Sequence, residues 1–168
     1  RSVASWCANQ GDPEAWEIIV ACRSDEGRTR IERTWLKMNE EIGGVPRLRI
    51  VPCEGEAFES AIDRAHALMI CVPDAAHAEY LERGIVAGVP TWIVKPRASS
   101  GAASRSIATL ADDLSVPVWV DYHKRFDVSN RVLRSKVMSG EHGSPRLYSV
   151  RYSQPRDLPL EEFQWSGG

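Results

Sequence analysis

The sequence predicts an α/β protein with a doubly wound parallel β-sheet, and three observations support this prediction. Short apolar runs alternate with longer segments whose apolar residues recur every three or four positions, which is the pattern of repeated βαβ units. One run, Ala67–Val72, is apolar throughout, as expected of a strand covered on both faces. With 168 residues, 43% of them hydrophobic, the chain can bury a substantial core.

Five short apolar runs are predicted to form the strands of this sheet, because turn-forming or charged residues bound them. They are Trp16–Cys22, Leu48–Val51, Ala67–Val72, Thr91–Val94 and Pro117–Tyr122. A sixth run, Leu147–Tyr152, alternates apolar and polar residues and predicts a half-exposed antiparallel strand outside this sheet.

Amphipathic segments between the strands are predicted to form helices that pack on the sheet. The longest begins near Asp25, its expected N-cap, and ends at Gly43, with apolar residues at spacings of four, three and four between them. The other predicted helices are Glu54–Asp63, Asp74–Ala87, Ala98–Leu114 and Val128–Ser139.

Charge and composition argue against several classes of protein. The formal net charge of −2 gives no reason to expect nucleic acid as a partner, and the apolar runs are too short to span a membrane. The four cysteines lie far apart and lack the spacing of a metal site or a redox dithiol. We expect no metal, buried thiols at Cys22 and Cys71, and a cytoplasmic location for a protein with a small-molecule substrate.

Polar residues follow four of the predicted strands at their carboxyl ends, where open α/β sheets bind ligands. The segments are Arg23–Asp25, Pro73–His77, Lys95–Pro96 and Asp121–Phe126. We therefore expect the ligand site to be formed by these strand ends.

Several of these segments resemble motifs of one family when they are taken in order. Ile70–His77 is similar to an apolar strand that ends in Thr-Pro with a His four residues after the Pro, and Val94–Pro96 stands where that family has Glu-Lys-Pro. Lys124–Asp127 is similar to its Arg-Phe element, and Ser139–Gly143 to a Gly-x-x-Gly hinge. The chain resembles the Gfo/Idh/MocA family of oxidoreductases, related to glucose-fructose oxidoreductase and inositol dehydrogenase.

The resemblance implies hydride transfer between a nicotinamide cofactor and a hydroxyl of a sugar-like or polyol substrate, with Lys95 assisting proton transfer. It also implies a homo-oligomer in the full-length protein and a Lys95–Pro96 peptide that is often cis. The residues assigned to the cofactor are Val72, Pro73, Asp74, His77, Lys95, Pro96 and Arg125. Two positions depart from the family, because Val94 replaces its Glu and Val72 its Thr.

Lys95 also fits an acid/base role on chemical grounds. Its ammonium follows the apolar Val94 and precedes the rigid Pro96 at the mouth of the predicted sheet, a setting in which an amine can exchange protons. The alternative is a surface lysine at a strand end. Arg125 lies in a basic segment with His123 and Lys124, which could hold a ligand or form a solvated turn.

Arg23 and Ser24 indicate which nicotinamide cofactor is preferred. Folds that prefer NAD usually place a carboxylate at this strand end, whereas a nearby Arg accommodates the 2′-phosphate of NADP. In this chain Arg23 and Ser24 come before the carboxylate of Asp25, which favours NADP, with NAD still open. The alternative is that Arg23 is solvated and Asp25 only caps the helix.

A Rossmann-type domain opens with a glycine-rich turn that binds pyrophosphate, but no Gly-x-Gly-x-x-Gly occurs in this chain. Residues 1–10 are predicted to form the helix that follows such a turn. We therefore expect a fragment with a truncated nucleotide-binding domain (1–122), a linking segment and helix (123–144) and the start of an α+β substrate or oligomerisation domain (145–168). A non-catalytic nucleotide-binding or assembly module of the same fold is the alternative function, because Val94 departs from the family.

Overall fold

The computed structural model describes residues 11–147, 149 and 151. The chain divides into two compact units, Arg1–Ala65 and His66–Gly168. Each unit contains parallel strands connected through helices, so the predicted α/β class with parallel pairing is confirmed.

The first unit contains two parallel strands, β1 (Glu17–Ala21) and β2 (Arg47–Val51), paired from Glu17 opposite Arg47 to Ala21 opposite Val51. Helix α1 (Asp25–Ile42) connects them, and helix α2 (Glu56–Asp63) follows β2. The carboxyl ends of both strands lie side by side, because the Cys22 amide donates a 2.9 Å hydrogen bond to the Val51 carbonyl.

Helix α1 has a different N-cap from the one predicted. The Ser24 hydroxyl accepts a hydrogen bond from the Gly27 amide at 3.1 Å, and Asp25 is the first helical residue. The prediction that Asp25 caps this helix was therefore wrong, because the hydroxyl one residue earlier satisfies the free amide. At the other end Gly43 adopts the left-handed conformation, with φ of 75°, as its position predicted.

The second unit contains three parallel strands in the order β3-β4-β5: β3 (Leu68–Ile70), β4 (Thr91–Val94) and β5 (Val118–Asp121). Helix α3 (His77–Val86) connects β3 to β4, and α4 (Gly101–Asp113) connects β4 to β5. Helix α5 (Val128–Ser139) follows β5.

The core of the second unit lies on the face of the sheet against α3 and α4. It is formed by residues of all three layers: Ile70, Leu81, Ile85, Ile93, Ile107, Ala111 and Val116. On the other face Met69, Trp92 and Trp119 are neighbours in register and are 43%, 45% and 57% exposed. The expectation that Ala67–Val72 is covered on both faces is therefore wrong for this unit, because only its even-numbered side chains are packed.

The predicted strands and helices within the described residues all occur, with ends shifted by up to three residues. Residues 1–10, predicted as a helix, lie outside the described part of the chain, as do 148, 150 and 152 of the predicted antiparallel strand. The predicted domain bounds at residues 122 and 144 stay predictions.

Candidate functional site

His77 connects two strand ends of the second unit. It is fully buried at the start of α3, and its Nε2 lies 2.9 Å from the Val72 carbonyl after β3, while its Nδ1 forms a short hydrogen bond with the Pro96 carbonyl after β4. A neutral imidazole donates one of these bonds, and a ring protonated on both nitrogens donates both. The ring therefore ties the segments after β3 and β4 together.

Val72, Asp74 and Pro96 are brought together around this ring. The Asp74 carboxylate oxygen Oδ1 lies 3.9 Å from His77 Nε2, and the Val72 side chain packs against the core. Pro73 is exposed, and its carbonyl accepts a hydrogen bond from the Ala76 amide at 2.9 Å. Because both ring nitrogens of His77 face backbone carbonyls, its side chain positions these segments and is not free to bind a ligand in this arrangement.

Lys95 is exposed directly after β4, and the peptide bond between Lys95 and Pro96 is cis. Its backbone is held at the next residue by the hydrogen bond between Pro96 and His77. The following residue, Arg97, has a buried Nε with no hydrogen-bond partner among the described residues. The end of β4 thus presents one exposed amine and one partly buried guanidinium.

Arg125 lies in a short 3-10 helix, His123–Arg125, that follows β5. Its side chain is exposed, and its guanidinium carbon lies 5.3 Å from the centroid of the Tyr122 ring. This is the geometry of a cation–π contact, which orients the guanidinium while leaving its N–H groups available.

Arg23 and Ser24 lie in the first unit, at the carboxyl end of β1. Arg23 is exposed, whereas the Ser24 hydroxyl is engaged as the N-cap of α1. Burial and the neighbouring Cys22 raise the pKa of the Cys53 thiol, and the positive charge of Arg23 opposes that shift. Arg23 is therefore an exposed cation at this edge, as is Arg28, whose guanidinium donates a 3.3 Å hydrogen bond to the Ile50 carbonyl.

Cys71 and Asp121 lie at the carboxyl ends of the outer strands β3 and β5, with β4 between them. Burial raises the pKa of the Cys71 thiol, and the negative charge of Asp121 raises it further. The residue as a whole is nevertheless exposed. The prediction that Cys71 is a buried hydrophobic residue was wrong, because it follows β3 on the face away from the helices.

Sequence analysis placed Asp121 in a candidate strand-end segment without giving it a role, and it did not include Arg97. The signal for Asp121 was present, because it is the first polar residue at the end of the fifth predicted strand. Arg97 carried no signal, since a basic residue after Lys-Pro is ordinary in a loop. Among the described residues no group of three potential metal ligands is found, and no helix there is long and apolar enough to cross a membrane.

Comparison with known proteins shows inositol dehydrogenases among the relatives. The chain is 30% identical over 101 residues to the myo-inositol dehydrogenase Hyg17 of Streptomyces leeuwenhoekii, which covers 60% of this chain and 31% of that protein. It is 26% identical over 113 residues to the inositol 2-dehydrogenase of Rhizobium meliloti, covering 67% of this chain and 34% of that protein. No family model matches.

A solved structure from Sinorhizobium meliloti, described as a candidate myo-inositol dehydrogenase, matches with a TM-score of 0.57 and 22% identity. The match covers 81% of this chain and 37% of that one. The likeness confirms the Rossmann-type α/β fold.

Parallel strands with polar residues at their carboxyl ends define a nucleotide-binding type of α/β fold. Together with the relatives, the strand-end motifs support the resemblance to the Gfo/Idh/MocA family. The chain spans about a third of the length of the curated relatives it matches.

Proposed function

We propose that the protein is an NAD(P)-dependent oxidoreductase that transfers hydride between a nicotinamide cofactor and a hydroxyl-bearing carbon of a polyol or sugar-like substrate. The observation that carries the proposal is the placement of Lys95, an exposed amine at the carboxyl end of β4 whose neighbour Pro96 is held by the buried His77. Relatives named inositol dehydrogenases support a polyol as the substrate class.

Lys95 supplies the proton chemistry in this proposal. When bound, a nicotinamide dinucleotide takes or gives the hydride. During oxidation the Lys95 amine accepts the proton of the substrate hydroxyl, and during reduction the ammonium returns it to the carbonyl oxygen. His77 positions Lys95 by bonding to the Pro96 carbonyl. This bond fixes the backbone that carries the amine.

Taken separately, each unit carries guanidinium groups at its strand ends that suit the phosphates of a nucleotide. Arg125 and Arg97 offer guanidinium N–H groups in the second unit, and Arg97 Nε is buried without a described partner. Arg23 offers an exposed cation in the first unit. Guanidinium groups suit phosphate oxygens, because they can donate two parallel hydrogen bonds.

We infer further that NADP is preferred over NAD. Arg23 is an exposed cation at the end of β1, and a 2′-phosphate needs such a partner. Asp25 and Glu26 lie in the first turn of α1 and would repel that phosphate, while they suit the ribose hydroxyls of NAD. The preference for NADP or NAD therefore depends on whether the adenosine ribose lies beside Arg23 or beside the two carboxylates.

Replacing Arg23 with Ala tests this preference. We expect the variant to weaken NADPH binding by about tenfold or more, because a charge-assisted contact to the 2′-phosphate is lost. NADH binding should change little. Titration of each reduced cofactor, followed by its nicotinamide fluorescence, measures both dissociation constants.

Arg33→Ala is the matched control, because Arg33 is an exposed arginine on α1 at a distance from the strand end. An equal loss for NADPH and NADH in the Arg23 variant would contradict the NADP preference. Wild-type protein that binds neither cofactor would contradict the proposed function as a whole.

A non-catalytic nucleotide-binding module is the second candidate. Val94 favours it, because an apolar, half-buried side chain stands beside Lys95 where the family resemblance implies a Glu. Saturable cofactor binding without turnover of any polyol would support this candidate. A cytoplasmic location and a homo-oligomer stay predictions from the sequence.

A further inference from the structure

Three residues form a row at the carboxyl end of the second unit's sheet, on the face away from α3 and α4. Val94 and Asp121 are partners in register at the ends of β4 and β5, and Cys71 follows β3. Val118 and Val120 pack against the core. Because side chains alternate along a strand, Asp121 lies on the same face as the exposed Trp119.

Asp121 is half-buried as a residue, and its carboxylate has no hydrogen bond or ion pair among the described residues. Its charge nevertheless reaches the Cys71 thiol, whose pKa is raised by burial and then by Asp121. The Asp121 carboxylate oxygens are not among the fully buried atoms without a partner in the described part of the chain, so they are open to a ligand. Hydrogen-bond donors of a ligand can therefore reach them.

The chemistry of this edge selects hydroxyl groups as those donors. A carboxylate only accepts hydrogen bonds, and its two oxygens can receive two neighbouring O–H groups. It repels phosphates and other anions. Lys95 is the next residue after Val94, the register partner of Asp121, so a diol bound to Asp121 would lie at the strand end that carries the amine.

We propose that the Asp121 carboxylate binds a vicinal diol of the ligand that reacts beside Lys95, and thereby determines which ligands the site accepts. The inference rests on the proposed function. The diol belongs either to the nicotinamide-side ribose of the cofactor or to the polyol substrate, and the same hydrogen-bonding chemistry recognises both.

Asp121→Asn in the whole protein tests the proposal, because it removes the charge and one acceptor while keeping the shape. We expect a loss of about tenfold or more in one of two quantities. A raised dissociation constant for NADPH with an unchanged KM for myo-inositol assigns the diol to the ribose. A raised KM at saturating cofactor, with unchanged NADPH binding, assigns it to the substrate.

Asp112→Asn is the control, because Asp112 is an exposed aspartate on α4. If Asp121→Asn matches this control in both quantities while wild-type protein binds NADPH, the role of Asp121 is overturned and the proposed function is not. If wild-type protein binds no nicotinamide cofactor, both are overturned.

The Cys71 thiol provides a readout that does not depend on the ligand. Removing the Asp121 charge should lower the Cys71 pKa, so more thiolate is present at a given pH and alkylation by iodoacetamide is faster. Peptide mass spectrometry follows Cys71 separately from the other cysteines. An unchanged alkylation rate would contradict the placement of Asp121 beside this edge.

Discussion

Replacing Lys95 with Ala is expected to lower kcat for polyol oxidation by about 10²- to 10⁴-fold, which is the usual contribution of a positioned acid/base group. Cofactor affinity should change little, because the amine acts on the substrate hydroxyl. Steady-state kinetics with NADP⁺ and myo-inositol, together with a titration of NADPH, separate the two effects.

Lys95→Arg distinguishes proton transfer from charge alone. A guanidinium keeps the positive charge but does not give up its proton at neutral pH, so kcat should remain as low as in Lys95→Ala. Lys37→Ala serves as the control, because Lys37 is an exposed lysine on α1. A wild-type rate in either Lys95 variant would remove Lys95 from the chemistry.

His77→Ala is expected to lower the free energy of unfolding by about 3 kcal/mol, because it empties a fully buried site and removes the ring that donates to a strand-end carbonyl. Urea unfolding measures the loss. His66→Ala is the control, since His66 is exposed. Equal midpoints for the two variants would contradict the described contacts.

The positioning role of His77 has a separate test. If His77→Ala remains folded, kcat should fall more than KM rises. The reason is that His77 no longer holds the Pro96 carbonyl, and the segment that carries Lys95 is no longer fixed. His77→Gln retains an N–H donor for one carbonyl and should recover part of kcat. Loss of stability without any change in kcat would leave His77 a purely structural residue.

Hydrophobic periodicity was sufficient to predict the elements of this fold. Thr91–Val94 and Val128–Ser139 have the predicted bounds, because turn residues flank one and a glycine ends the other. Caps and exposure were harder to predict. Ser24 and Asp25 are both good N-caps by type, and the choice of Ser24 depends on the backbone leaving β1.

The positions of Lys95 and His77 at strand ends were predicted, because each stands at a fixed distance from a proline that follows a strand. Their roles stay predictions. That His77 turns inward to two carbonyls could not be derived from spacing. The neighbours of Asp121 depend on the pairing of Val94 with residue 121, and a single sequence does not specify which strands are adjacent.

Transfer of an isotopic label from the substrate to the cofactor tests the proposed hydride transfer. The whole protein is incubated with NADP⁺ and myo-inositol deuterated at its ring carbons, and the cofactor is recovered and examined by mass spectrometry. We expect reduced cofactor that carries one deuterium, at a rate that falls strongly in Lys95→Ala. Cofactor that binds but is never reduced by myo-inositol or related polyols would contradict the proposed hydride transfer.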